Sequence, residues 1–345
     1  MTNKVAIFSD LHLGVHQNSD FWLVDSIKWC KWFVKSLKEN KIEDVIFCGD
    51  FFHYRDEISV KTLSHARNIL DMLSEFNLYM IPGNHDAWYK DSAEINSISI
   101  LKNNNKINVF DELTTINSQG KIITFCPWGT SLDSIPNSDI IFGHFELKHF
   151  KINTYKICDD GYDPYVLAEK AKLVFSGHFH LKDEKQINNS KIIYTGNPFE
   201  MDFGDSQSSK GYYILDINNF KYSFIPNPSY TKHIKILLSN LVNIIEVNDF
   251  FRNNISNNII KLVLDKNIST SHLNLLVTKL NAYNPCELRV DYDVNYNKIK
   301  TPDSEKDLGN IDIEEAIFEF VNFLDINNKD EVAQYTIELY NRAKR

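Results

Sequence analysis

His178 and His180 stand one residue apart, just past the apolar run Leu173-Val174-Phe175 and the pair Ser176-Gly177. Residues two apart on an extended segment share a face, so both imidazoles point to one place where a strand leaves a core. Neutral imidazole is the commonest protein ligand for transition metals. Four other fragments carry groups of the same kind. Asp10 and His12 lie in Ser-Asp-Leu-His, and Asp50 and His53 in Gly-Asp-Phe-Phe-His. Asn84, His85 and Asp86 lie in Pro-Gly-Asn-His-Asp, and His144 in Gly-His-Phe-Glu. Singly, each has an ordinary explanation: Asp50 as a helix cap, Asn84 as a turn residue, His144 as a hydrogen-bonded core histidine. Together, two Asp, one Asn and four His are the number that two divalent ions need when they share one bridging carboxylate, with His53 and His85 left over. Oxygen and nitrogen donors without thiolate suit Mn, Fe or Zn and argue against Mg or Ca alone. Two such ions activate a water between them and clamp a phosphoryl group for in-line displacement.

This chemistry requires elements that deliver five fragments to one point. Each fragment follows a short apolar run that reads as a buried strand, at 4–8, 44–48, 78–81, 139–142 and 173–175. Ligands of open α/β sheets gather beyond the carboxyl ends of strands, so convergence is expected. Between the runs, apolar residues recur at spacings of three and four over 20–39 (Leu23, Ile27, Cys30, Val34, Leu37) and over 58–75 (Leu63, Ala66, Leu70, Leu73), predicting helices. A third helix is expected near 92–103. From about residue 107 the signals turn strand-rich, through "KINVF", "KIITFCPW", "KIIYTG", "GYYILDI" and "YSFIP". The fold class expected is α/β, two packed sheets with helices outside. After Pro226-Asn227-Pro228 the pattern resets into a small α/β unit with strands in "IKILL", "NIIKLVL" and "CELRVDY" and a helix at 270–281. Residues 295–310 are polar without apolar period and read as a linker. Helical segments follow near 311–325 and 329–344. No internal repeat and no Gly-rich phosphate loop stands out.

The 345 residues, 43% of them hydrophobic, suffice for one large domain and something smaller. A net charge of −9 does not advertise nucleic-acid binding. Residues 301–345 hold eleven acids and five bases, a net of −6, which leaves −3 on residues 1–300. Bound dications would make that front part locally positive. No run approaches the roughly 18 apolar residues of a membrane span, and the N-terminus reaches a charge too soon for a signal peptide. Five scattered cysteines without a Cys-x-x-Cys pair read as reduced thiols. A cytoplasmic, intracellular protein is therefore expected.

The ordered set Asp-x-His, Gly-Asp, Gly-Asn-His-Asp, Gly-His and Gly-His-x-His, spanning residues 10–180, resembles the calcineurin-like metallophosphoesterases. The resemblance implies a two-sheet sandwich flanked by helices, with a dinuclear site. In it Asp10, His12 and His180 hold one ion, Asn84, His144 and His178 hold the other, and Asp50 bridges. His85 is implied as the general acid that protonates the leaving oxygen. Phosphoprotein phosphatases carry Asp-Arg-Gly after the Gly-Asp and Glu after Gly-Asn-His, whereas this chain reads "GDFFHYRD" and "GNHDAWY". Gly-Asp-x-Phe-His is similar to the SbcD/Mre-type nucleases of double-strand-break repair, in which the extra histidine, here His53, assists catalysis. "YTGNPFEMDFGD" (194–205) resembles the segment closing that family's nuclease domain, and "GHFELKHF" and "IPNPSY" resemble its tailed-phage recombination branch.

The resemblance implies a Mn-dependent DNA exo/endonuclease working in repair and recombination under an SbcC/Rad-type coiled-coil ATPase, and a phage- or virus-encoded origin is compatible with it. It implies a nuclease domain at 1–230, a capping domain at 231–294, a linker at 295–310 and an ATPase-binding helical segment at 311–345. A homodimer through the segments at 58–75 and 92–103 is implied too. One departure stands out: the sparse, Lys-based basic content, with six arginines, leaves the DNA-contact surface unassigned. Two other classes compete, a small-molecule phosphodiesterase or phosphatase of the same superfamily and a metal-free scaffold of that fold. His53 and the acidic tail speak against the first, and the complete ligand set against the second.

Overall fold

A computed structural model of the chain describes residues 1–102, 105–206, 208–241, 254–292, 317–318, 321 and 328–343. It divides into two units, Met1–Tyr292 and Asp293–Arg345. The linker expected at 295–310, and the tail helix expected near 311–325 apart from three residues, lie outside the described residues. In the second unit the expected last helix runs over Lys329–Ala343.

The first unit is built on two six-stranded sheets. In the first sheet β1 (Lys4–Phe8), β2 (Asp44–Cys48), β3 (Asn77–Ile81) and β4 (Ile107–Val109) run parallel. The second contains the parallel strands β6 (Lys121–Cys126), β7 (Ser138–His144), β8 (Ala171–Gly177) and β10 (Ser190–Tyr194). Its edges are the antiparallel β5 (Thr114–Ser118) and β9 (Asp183–Ile187). The first sheet ends in antiparallel β11 (Gly211–Asp216) and β12 (Tyr222–Pro226).

Strand alternation explains the layering. Val5 and Ile7 of β1 pack with Ile46, Phe125, Phe142 and Phe175 between the sheets. Ala6 and Phe8 face the other way, into a cluster with Trp29 and Phe33 of helix α1 (Asp20–Glu39) and Ala66 and Ile69 of helix α2 (Val60–Leu73). A strand buried on both faces reads as a continuous apolar run, which is why these strands were legible. Each fully buried Phe contributes about 1.5–3 kcal/mol, enough to hold strand ends that carry polar loops.

The segment near 92–103 is not the helix expected; within it a 3₁₀ turn spans Ser97–Leu101. Ser and Ile are weak helix formers, and local side-chain bonds compete with helix: Asn96 Nδ2 donates to the Ala93 carbonyl and Ser99 Oγ to that of Asn96. Ile98 is buried there, while Ile95 and Ile100 are exposed. The alternating edge strands β5 and β9, and the short helix α3 (Pro164–Lys170) capped by Asp163, are additional to the sequence pattern.

Residues beyond 232 form a third, all-parallel sheet of β13 (His233–Leu237), β14 (Ile259–Leu264) and β15 (Glu287–Tyr292). Helix α4 (Thr270–Asn281), capped by Ser269, accompanies it. Ile236, Ile260, Leu262 and Leu280 give this part its own apolar core.

Candidate metal centre

All five fragments meet at one place, beyond the carboxyl ends of β1, β2, β3, β7 and β8. Asp50 Oδ2 stands 3.5 Å from His12 Nε2 and 3.4 Å from His144 Nε2. On one side of it, His12 Nε2 lies 3.0 Å from His180 Nε2, and Asp10, His12 and His180 present converging donor atoms. On the other side, Asn84 Oδ1 lies 2.9 Å from His144 Nε2 and 2.8 Å from His178 Nδ1. An ion with bonds of about 2.1 Å sets neighbouring donor atoms about 3.0 Å apart in an octahedron and about 3.4 Å in a tetrahedron. The donor set therefore fits two divalent ions with Asp50 between them. Asp10, His12, Asp50 and His144 are buried, whereas His53, His85, His178 and His180 are half-buried and form the mouth.

Local backbone explains the convergence. Asp10 (φ 55°), His12 (47°), Asp50 (63°) and His178 (90°) all adopt left-handed conformations, which turn each chain sharply as it leaves its strand and cost about 1–3 kcal/mol each. They are braced mutually. Asp10 N–H donates to the Gly49 carbonyl (2.9 Å), His12 N–H to the Asp50 carbonyl (3.0 Å), and His178 N–H to Asp10 Oδ1 (3.0 Å). Gly177 permits a close approach: a Cβ there would lie 2.3 Å from the Cys48 carbonyl oxygen, so only glycine lets the two sheets touch at this end.

The imidazoles are oriented through their far nitrogens. His144 Nδ1–H donates to the Cys48 carbonyl (2.7 Å) and His180 Nδ1–H to Asp205 (3.2 Å), leaving both Nε2 atoms for the centre. Burial pushes His12 well below its ordinary value and His178 down to about 3, so both are neutral and present lone pairs. Burial opposes a proton on His144, but Asp50 and Asp10 outweigh it and push that ring up to about 9. Burial likewise opposes a proton on His180, but Asp205 and Asp10 bring it to about 9. Burial lifts Asp10 to about 6 against the pull of His144. Burial would raise Asp50 too, but His144 and His12 hold it well below the carboxylate range.

His85 lies beside the donor set. Its backbone N–H donates to Asp50 Oδ1 (2.8 Å), and its Nδ1–H donates to the His53 carbonyl (2.7 Å). Its ring meets His12 edge-on, 4.7 Å between centroids, and stacks on His53 at 5.1 Å. His53 Nδ1 is 3.4 Å from His12 Nδ1, and burial lowers His53 to about 4. His12, His53 and His85 thus form a third convergent group.

Three supporting residues went unassigned from sequence. Asp86, 2% exposed, accepts N–H groups from Gly83, Asp50, Phe51 and Phe52, tying the β2 and β3 loops together. Its place in Gly-Asn-His-Asp marked it without revealing a role. Asp205 accepts from His180, and the buried Lys210 donates to the His180 carbonyl (3.0 Å) and to Asn197. No spacing rule links residues 180, 205 and 210, and only the folded chain brings them together.

Residues 3–182 match the family model described as calcineurin-like phosphoesterase. "Exonuclease subunit 1" of Enterobacteria phage T4 is 30% identical over 357 aligned positions, covering 99% of each chain. The SbcD-type polypeptide of nuclease SbcCD from Staphylococcus saprophyticus is 21% identical, covering 65% of this chain and 68% of that one. Its counterpart in Staphylococcus epidermidis is 22% identical, with 65% and 69% covered.

Proposed function

The chain belongs to the calcineurin-like phosphoesterase family, and from that premise we propose that it is the nuclease subunit of a DNA recombination and repair assembly, hydrolysing DNA phosphodiesters with two divalent ions, manganese foremost. One observation carries the reading: a single carboxylate, Asp50, lies within 3.5 Å of a histidine from each of two donor groups. Likeness along the whole length to a phage exonuclease subunit supports the substrate. Asp10, His12 and His180 would hold one ion, and Asn84, His144 and His178 the other. Bound ions supply an activated water and neutralise charge at the phosphoryl oxygens. The chain's own residues do the rest. Asp86 keeps the Asp50 and Asn84 loops in register. His85, its Nδ1–H held by the His53 carbonyl, would as the imidazolium pass its Nε2 proton to the departing sugar oxygen and remain as the neutral Nδ1–H ring.

Cleavage of linear double-stranded DNA against a chromogenic phosphodiester, each with and without manganese, tests this reading. Manganese-dependent DNA cleavage is expected. A preference for the small ester by orders of magnitude would instead make the protein a small-molecule phosphodiesterase, and inactivity with no bound metal would make it a scaffold.

Metal uptake should depend on pH. His144 and His180, each raised to about 9, carry protons at neutral pH in the free site, and an ion must displace them. Apparent affinity is therefore expected to rise from pH 6 to pH 9, with protons released on binding. Below about 6, protonation of Asp10 weakens it further. Calorimetry in buffers of different ionisation heat measures the released protons. Affinity that is flat across this range would show that these histidines carry no such protons in the free site.

The partner is proposed to be an SbcC/Rad-type ATPase, bound through residues 311–345, and the protein is proposed to dimerise through α2 and the segment at 92–103, where Val60, Ile95 and Ile100 are exposed. Sedimentation of the full chain, and of a chain ending at residue 300, with and without the ATPase, reads both. A dimer is expected for each chain alone and an ATPase complex for the full chain only. A 40 kDa species alone, or an undiminished complex after truncation, would overturn the respective claim.

A further inference from the structure

A cavity of about 390 Å³ opens beside the metal centre, with His144 in its wall. That is within the about 300–1,000 Å³ of small-molecule sites. Trp128, Tyr162, Lys90 and the acidic residues Asp91, Glu146 and Asp160 are among its other lining residues. We propose that this cavity receives one unpaired nucleobase from the nucleotide next to the scissile phosphate. The inference rests on the reading of the chain as a DNA phosphodiesterase and narrows its substrate to single strands and frayed ends.

Trp128 is a fixed platform. Its backbone N–H donates to the Pro82 carbonyl (3.0 Å) and its indole Nε1–H to the Lys90 carbonyl (2.7 Å). Gly129, at φ 80°, is pressed so closely on this loop that a Cβ would sit 2.2 Å from the Asp91 carbonyl oxygen. The indole ring lies 5.2 Å from His178 and 5.9 Å from His144. Its only donor is used within the protein, so what it offers a ligand is aromatic surface. Tyr162 lines the same cavity and is 52% exposed, although its backbone is tied by N–H donation to the Glu146 carbonyl (2.8 Å). Two anchored aromatic residues on one cavity are the parts from which base-stacking sites are made.

Charge decides which part of a nucleotide enters. Three acidic residues and one lysine in the lining disfavour a phosphate there, whereas a carboxylate can accept from the exocyclic amino groups of bases. The phosphate then lies toward the metal centre, and the base toward Trp128 and Tyr162. A paired base cannot reach such a cavity, so the duplex must fray or the strand must be single.

The test walks one abasic residue through each position around the cleavage site of a single-stranded oligonucleotide, using the full chain with manganese. At one position, KM is expected to rise about 5- to 150-fold, the loss of one stacked base, with kcat changed less. Tyr162→Ala should raise KM for the intact strand and erase that position's abasic penalty, while Tyr162→Phe should retain it. A fluorescent 2-aminopurine at that position should be quenched on binding in EDTA by the parent and not by Tyr162→Ala. Cleavage with no position-specific penalty would overturn the base pocket and leave the nuclease reading intact. Failure of the parent to cut any oligonucleotide would overturn the nuclease reading itself. The abasic walk uses the unaltered protein, so a poorly folding variant does not block the decision.

Discussion

An Asp50→Ala protein should bind at most one divalent ion where the parent binds two, and should lose at least about a hundredfold in DNA cleavage. Two dications about 4 Å apart repel by roughly 17 kcal/mol at an effective dielectric of about 20. A carboxylate between them is the natural offset, and Asp50 Oδ2 lies 3.5 Å and 3.4 Å from the histidine nitrogens on either side. Asp50 also accepts the His85 N–H, so its loss loosens the mouth of the site as well. Asp50→Asn keeps the shape and removes the charge, and should lose metal nearly as completely. Elemental analysis of the purified proteins measures this. Two ions per chain retained in the alanine variant would exclude the bridging role.

His85→Ala should keep both ions and lose about 10²–10⁴-fold in cleavage. His85 sits beside the donor set rather than within the two groups around Asp50, and its Nδ1 is committed to the His53 carbonyl. His53→Ala should be milder, because it is the His53 backbone, not its ring, that holds His85. The competing possibility comes from the third convergent group, His12, His53 and His85. If His85 is itself a ligand, the variant loses metal in step with activity. Metal content and rate measured on one preparation separate the two, and normal cleavage by His85→Ala would dismiss the acid role altogether.

How much was legible in the sequence depended on whether a signal was local. Strands β1, β2, β3, β7 and β8 carry apolar residues on both faces, so their runs are continuous and their ends visible. The candidate donors follow closely on those strand ends, so the fragments that carry them are visible in the sequence and converge in the fold. The edge strands β5 (TTINS) and β9 (DEKQI) hold one apolar residue each, so they carry no hydrophobic period to read. The segment at 92–103 failed as a helix because its isoleucines and serines favour local turns, which a count of apolar spacing does not weigh. Asp205, Lys210 and Trp128 escaped because their relation to His180 and His178 exists only across the folded sheets.

The left-handed backbone at Asp10, His12, Asp50 and His178 bears on how mutants here are to be interpreted. Asp, Asn and His tolerate that conformation better than most residues, and glycine adopts it freely. Alanine at these positions does two things at once: it deletes a donor, and it removes the short polar side chain that makes the left-handed conformation tolerable. A lost activity in an alanine series would then mix coordination chemistry with loop geometry. Glycine deletes the donor without the backbone penalty, and asparagine keeps the turn while changing the charge. At these four positions the glycine and asparagine pair is the informative control, while at His144, whose backbone is ordinary strand, alanine alone suffices.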